Sequence, residues 1–97
     1  MEVNRSEKPI KIVLPSVLGL TETEDLLATV RELNAGGEPY VIDGSSVTRV
    51  GTPSLQILMA AIREKSGVHL TAPSLQFLAA IDDVGLTTFF EERIVLE

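Results

Sequence analysis

Short apolar blocks alternate with polar turns along the chain, and their spacing predicts alternating strands and helices. Compact apolar runs predict strands at 10–14, 39–42, 68–71 and 93–96, and residues 1–4 are predicted to pair with the first of them across a polar turn. Apolar residues that recur at positions i, i+3, i+4 and i+7 predict helices that begin near residues 21, 52 and 73. Strands that alternate with helices indicate the α/β class, here a mixed, mostly parallel sheet packed by helices in the order ββαβαβαβ.

Two of the predicted helices begin beside a proline. Thr52 is expected to be the N-cap residue and Pro53 the first helical residue, an order that suits both side chains. The tetrapeptide Pro-Ser-Leu-Gln occurs at 53–56 and again at 73–76. We interpret the repetition as one local way of starting a helix, used twice, rather than as a repeated domain.

Length and composition predict one small domain over residues 1–97. The chain has 97 residues, of which 44% are hydrophobic but only 4% aromatic, so its core must be mainly aliphatic. It contains no cysteine and a single histidine, His69, which excludes disulfides, thiol catalysis, and cysteine-based or histidine-rich metal sites. We therefore predict no catalytic residue, no metal site and no cofactor.

The charge balance argues against a nucleic-acid partner. Lys and Arg together number 8 against 14 Asp and Glu, which gives a net charge of −6, whereas a nucleic-acid binder needs a basic patch. Residues 1–8 lack the features of a secretory signal, and no apolar run approaches membrane-spanning length. We therefore expect a cytoplasmic protein that is not an integral membrane protein.

The candidate functional residues form a cluster of small polar side chains at the end of one strand and the start of the second helix. Its members are Asp43, Gly44, Ser45, Ser46, Gly51, Thr52, Pro53 and Ser54. Exposed hydroxyl groups beside the free N–H groups of a helix N-terminus are a favourable place for a phosphate. The alternative is that Thr52 only caps the helix and Ser54 only fills its first turn.

The ordered motifs of this chain resemble those of STAS domains, the family of bacterial anti-sigma factor antagonists. Residues 40–58, YVIDGSSVTRVGTPSLQIL, resemble the central segment of the family, and residues 14–19 and 73–86 resemble its early strand end and its later Pro-Ser-x-x-Leu helix. The variant Gly-x-x-x-Leu-Gln-Ile-Leu-x-Ala-Ala is most similar to STAS proteins of alphaproteobacterial chemotaxis clusters. The resemblance therefore implies a STAS-like fold over nearly the whole chain.

The resemblance also implies a switch at Thr52, which matches the Ser or Thr that a partner kinase of the histidine-kinase-like ATPase fold phosphorylates in the family. There the unmodified form binds the partner and the phosphorylated form does not. Gly51 and Gly19 stand where the family has acidic residues that help to define the partner-facing surface, and Ser54 stands where the family usually has glycine.

From these observations we expect the protein to be a non-enzymatic regulatory module that binds a signalling partner through residues 44–54. The expected partner is an anti-sigma factor kinase or a chemotaxis kinase complex. A second interpretation, from another functional class, is a small cytoplasmic STAS subunit of a phospholipid-transport ABC complex. A third is a small enzyme that uses Asp43, His69 and Thr52.

Overall fold

The computed structural model describes residues 1–6, 9–64, 67–91 and 94–95, and it confirms the predicted α/β class. The strands are β1 (Glu2–Asn4), β2 (Ile10–Val13), β3 (Val17–Leu18), β4 (Tyr40–Asp43), β5 (Arg49–Val50), β6 (Val68–Thr71) and β7 (Ile94–Val95). The helices are α1 (Leu20–Gly36), α2 (Thr52–Glu64), α3 (Leu75–Asp83) and α4 (Thr87–Glu91). The short β3, β5 and α4 were not predicted from the sequence.

The main sheet is mixed and mostly parallel, as predicted. In the described residues its strand order is β1-β2-β4-β6-β7, with the β1–β2 pair antiparallel and the other three pairs parallel. The pairing that was predicted for residues 1–4 is therefore confirmed. Of the last predicted strand, Ile94 and Val95 form β7, whereas Arg93 and Leu96 lie outside the described residues.

One face of the main sheet forms one side of the hydrophobic core. Because strand side chains alternate between faces, residues in register on β2, β4 and β6 point the same way. The buried rows are Ile10–Tyr40–Val68 and Ile12–Ile42–Leu70. Helices cover this core with residues at the predicted helical spacing, such as Leu26 and Val30 on α1 and Leu55, Leu58 and Ile62 on α2. The core is mainly aliphatic, as the composition requires.

The two copies of Pro-Ser-Leu-Gln start their helices differently, so the expectation of a shared solution is wrong. Ser74 is the N-cap of α3, and its Oγ accepts a hydrogen bond from the Phe77 amide at 3.0 Å. In the first copy, Ser54 already lies inside the first turn of α2. Thr52 is the first helical residue instead of the N-cap, because the Leu55 amide donates to the carbonyl of Gly51 at 3.2 Å.

No helix within the described ranges has both the length and the apolar character needed to cross a membrane.

Tyr40 is the polar member of the buried rows, and its burial has a consequence at high pH. Its side chain is fully buried, and its hydroxyl donates to Asn34 Oδ1 at 2.7 Å. Burial, and secondarily the negative charge of Glu64, raises the pKa of Tyr40 from 10.0 to about 12. The neutral phenol is therefore the form that the folded protein favours.

We expect the stability contributed by Tyr40 to be complete below pH 10 and to be lost as the pH rises toward 12. Between these pH values Tyr40 ionises in the unfolded chain but stays neutral in the folded one. The free energy of unfolding therefore falls by about 2–3 kcal/mol across the whole window. Urea unfolding of wild type and Tyr40→Phe between pH 8 and pH 11.5 measures it. The stability advantage of wild type over Tyr40→Phe should shrink as the pH rises, and an advantage that stays constant would contradict the prediction.

Candidate functional site

A second, two-stranded sheet brings the starts of α1 and α2 side by side. β3 and β5 run parallel, with Val17 opposite Arg49 and Leu18 opposite Val50. The pairing continues past the strands, because the Gly51 amide donates to the carbonyl of Leu18 at 3.2 Å. Each strand is followed by one glycine and then by a helix. The parallel register therefore places the two helix starts next to each other.

The residue that begins α2 is Thr52, the predicted phosphoacceptor, and it is exposed to solvent. Gly51 before it and Pro53 after it are also exposed. The predicted switch needs another macromolecule to reach this residue, and its exposure is consistent with that. Gly51 has no side chain, so no side chain from the preceding residue covers Thr52.

Ser54 does not belong to this surface, and its expected role in partner contact must be corrected. Its side chain is 0% exposed, and its Oγ lies 2.6 Å from Thr23 Oγ1 on α1. Thr23 Oγ1 in turn donates to the carbonyl of Gly19 at 2.8 Å. Because Thr23 has only one hydroxyl proton, Ser54 must be the donor in the hydroxyl pair. These two hydrogen bonds, from Ser54 to Thr23 and from Thr23 to Gly19, therefore connect the first turn of α2 to the first turn of α1.

Asp43 and its neighbours form a tight turn beyond the end of β4. Asp43 is half-buried, and its Oδ1 accepts a hydrogen bond from the Ser45 amide at 2.9 Å. Such a bond is typical of an aspartate that starts a turn. Ser45 and Ser46 are exposed. These two serines are therefore the part of the turn that another molecule can reach.

Gly44 is buried, so it shapes the site without belonging to its surface. Its amide donates to the carbonyl of Thr71 at 3.1 Å, and its carbonyl accepts from the Ser74 amide at 3.1 Å. A Cβ at this position would lie 3.4 Å from Phe77 Cδ2. The glycine lets the turn pack closely against α3. Because Gly44 is buried, its expected contact with a partner must be corrected, like that of Ser54.

The sequence cluster divides into two separate places in the fold. The 43–46 turn is hydrogen-bonded to Ser74 at the start of α3, whereas residues 51–54 are hydrogen-bonded to β3 and α1. No hydrogen bond within the described part of the chain joins these two places. The 51–53 segment is the one that combines an exposed hydroxyl group with a helix start.

The residues proposed for a small enzyme do not converge in the described structure. His69 lies half-buried on β6 opposite Val41, two pairs away from the Asp43–Thr71 pair, and Thr52 lies on another element. No hydrogen bond found among the described residues links these three side chains. Within the same ranges, no group of three His, Asp or Glu side chains is close enough together to hold a metal ion.

The positioning of this site depends on two features that sequence reasoning missed. The first is the β3–β5 pair, whose two-residue strands are too short to show an alternating pattern. The second is Thr23, whose hydroxyl is hydrogen-bonded to Ser54 on α2. Its partner Ser54 lies 31 residues away along the chain, so no local pattern points to their contact.

Comparison with known proteins identifies one matching family. Its model, described as "Mlab, STAS domain", matches residues 1–96. No curated protein matches the chain. The family match covers both sheets and the whole of the site described above.

Proposed function

This chain belongs to the STAS domain family, and from that premise we propose that it is a non-enzymatic module that binds a signalling protein through the surface around Thr52. Proteins of this family generally act as interaction modules. The observation that carries the proposal is the exposed Thr52 at the start of α2, which the small sheet and the Ser54–Thr23 hydrogen bond hold beside the start of α1. We place the protein in the cytoplasm, as an antagonist-like regulator in a bacterial signalling or chemotaxis pathway.

The proposed switch is phosphorylation of Thr52 by the partner, a histidine-kinase-like anti-sigma factor or a chemotaxis kinase complex. A phosphate adds between one and two negative charges to a chain whose net charge is already −6. Within a protein interface these charges must lose water, and they repel any acidic group opposite. Each loss of about 1.4 kcal/mol lowers affinity about tenfold, so two or three such losses are enough to release the partner.

The proposal is tested by mixing the purified protein with the histidine-kinase-like ATPases of the same genome, with and without ATP. We expect a complex with one of them, measured by isothermal titration calorimetry, and a mass increase of about 80 Da on the peptide that carries Thr52. Thr52→Glu, which adds a negative charge at this position, should weaken the complex about tenfold or more.

Two control variants separate the position of the charge from its mere presence. Thr52→Val keeps the shape of the side chain and should still bind, but it should take up no phosphate. Thr87→Glu places the same charge on an exposed threonine that also begins a helix, α4, and should leave affinity unchanged. The proposal fails if no ATPase binds, or if Thr87→Glu weakens the complex as much as Thr52→Glu does.

A second candidate function is favoured by the description of the matching family, which names Mlab and no anti-sigma factor antagonist. The protein would then be a small STAS subunit of a phospholipid-transport ABC complex. The same calorimetric assay with the ATPase subunit of such a complex distinguishes the two. Binding that depends on the Thr52 surface but adds no phosphate would support the subunit and exclude the kinase-regulated switch.

A further inference from the structure

Leu20 is a large apolar side chain that the fold leaves almost entirely in water. It is the first residue of α1, and it is 81% exposed. The buried stripe of this helix is Leu26, Val30 and Leu33. At 100° per residue, Leu20 lies about 110° from the centre of that stripe, so packing against the core does not explain a leucine there.

Leu20 and Thr52 occupy equivalent positions after the two paired strands of the small sheet. Counting forward from the Leu18–Val50 pair, Gly19 corresponds to Gly51 and Leu20 corresponds to Thr52. The two residues are thus the first helical residues of α1 and α2, at equivalent places in two adjoining strand–glycine–helix units. One side chain is apolar, the other carries a hydroxyl group, and both are exposed.

The charge near these two residues indicates the chemistry of a partner. Arg49 lies opposite Val17 in the small sheet and is exposed, in a chain of net charge −6. The ion pairs found among the described residues involve Met1 and Arg5 rather than Arg49. Glu22, in the first turn of α1, is half-buried, and its Oε1 accepts a hydrogen bond from the Gly19 amide at 3.1 Å. An acidic group of a partner therefore complements this edge of the surface.

We propose that Leu20 is the apolar anchor of the Thr52 surface: it inserts into a leucine-sized apolar pocket of the partner ATPase, and Arg49 faces a carboxylate at the rim of that pocket. This inference rests on the proposed function and identifies the chemistry of its partner. The Ser54–Thr23 hydrogen bond and the small sheet hold Leu20 and Thr52 in fixed relative positions before binding. A surface that is already ordered loses less conformational freedom when it binds.

The test uses Leu20→Ser against Leu75→Ser. Leu75 is a matched control, because it also is the first residue of a helix and also is 81% exposed. The probe is the purified ATPase that forms a complex in the assay described above, with affinity measured by calorimetry. Burial of a leucine side chain corresponds to about tenfold or more in affinity, so Leu20→Ser should weaken the complex by that factor and Leu75→Ser by less than about twofold. Because both side chains are exposed, the thermal unfolding midpoints of the variants should match that of wild type.

Arg49→Gln tests the charged part of the surface. We expect a drop of about threefold to tenfold in affinity and a weaker dependence of affinity on salt, since rim charges act mainly through long-range attraction. An affinity that responds to salt equally in wild type and Arg49→Gln would overturn the assignment of Arg49.

The outcomes separate this inference from the proposed function. Normal affinity of Leu20→Ser together with weak binding of Thr52→Glu overturns the anchor and leaves the proposed function standing. Equal loss in Leu20→Ser and Leu75→Ser also overturns the anchor, because surface apolarity in general would then be the cause. If no ATPase binds, or if neither Leu20→Ser nor Thr52→Glu weakens the complex, both proposals are wrong.

Discussion

Replacement of Phe77 by alanine is expected to lower the free energy of unfolding by about 3–5 kcal/mol. Phe77 is fully buried, and its ring meets that of Phe90 edge to face, with 6.4 Å between the ring centroids. It also lies under the 43–46 turn, since a Cβ at Gly44 would contact its ring. Alanine would leave a cavity that these neighbours fill only in part. A domain of this size has a total stability of about 5–15 kcal/mol, so a large share would be lost.

Phe89→Ala is the control for this prediction. Phe89 is a phenylalanine of α4 that also packs edge to face against Phe90, but it is only half-buried. Its replacement should therefore cost clearly less than that of Phe77. Urea unfolding followed by circular dichroism gives both free energies. Equal losses in the two variants would show that Phe77 does not have the central place in the core that its burial indicates.

The parts of the fold that the sequence predicted are those in which burial follows a local period. Residues 68–71 are a strand as predicted, because alternation of Val68 and Leu70 with His69 is enough to separate a buried face from a half-exposed one. Likewise, the helical spacing of Leu55, Leu58 and Ile62 identified the inner face of α2.

The errors concern residues whose environment is set by distant parts of the chain. The two Pro-Ser-Leu-Gln segments have identical letters, yet Ser54 is buried against Thr23 while Ser74 caps α3 and donates to the carbonyl of Val47 at 2.5 Å. Local preference gives both serines the same role at a helix start. Only the packing of α2 against α1 on one side, and of α3 against the 43–47 loop on the other, separates them.

The sequence therefore predicted some residues of the candidate site, but not which residues lie next to them in the fold. The sequence pointed correctly to an exposed Thr52 at the start of a helix, although it placed Thr52 at the N-cap instead of at the first helical position. It gave no reason to consider Leu20, which lies 32 positions earlier and becomes a neighbour of Thr52 only through the pairing of β3 with β5. A surface of this kind is a product of topology.

The hydrogen bond between Ser54 and Thr23, which holds this surface together, gives the second large effect. Thr23→Val keeps the shape of the side chain but removes both the bond to the Gly19 carbonyl and the acceptor for the Ser54 hydroxyl. Ser54 would then be a fully buried donor without its partner, so we expect a loss of about 2–4 kcal/mol in the free energy of unfolding. Thr29→Val is the matched control on the same helix. Its hydroxyl makes the same kind of bond to a carbonyl four residues earlier, that of Asp25, at 2.9 Å, so its replacement should cost only about 0.5–1.5 kcal/mol.

The double variant Thr23→Val/Ser54→Ala decides whether the desolvated hydroxyl of Ser54 is the cause. Ser54→Ala in the Thr23→Val background removes the orphaned donor, so it should restore part of the lost stability, whereas the same change in wild type should be destabilising. Urea unfolding of the four proteins in this cycle measures the coupling. If Ser54→Ala lowers stability equally in both backgrounds, the two hydroxyls are not coupled. The starts of α1 and α2 would then be held together by the β3–β5 pairing alone, and Leu20 and Thr52 would lose one of the two contacts that fix their relative positions.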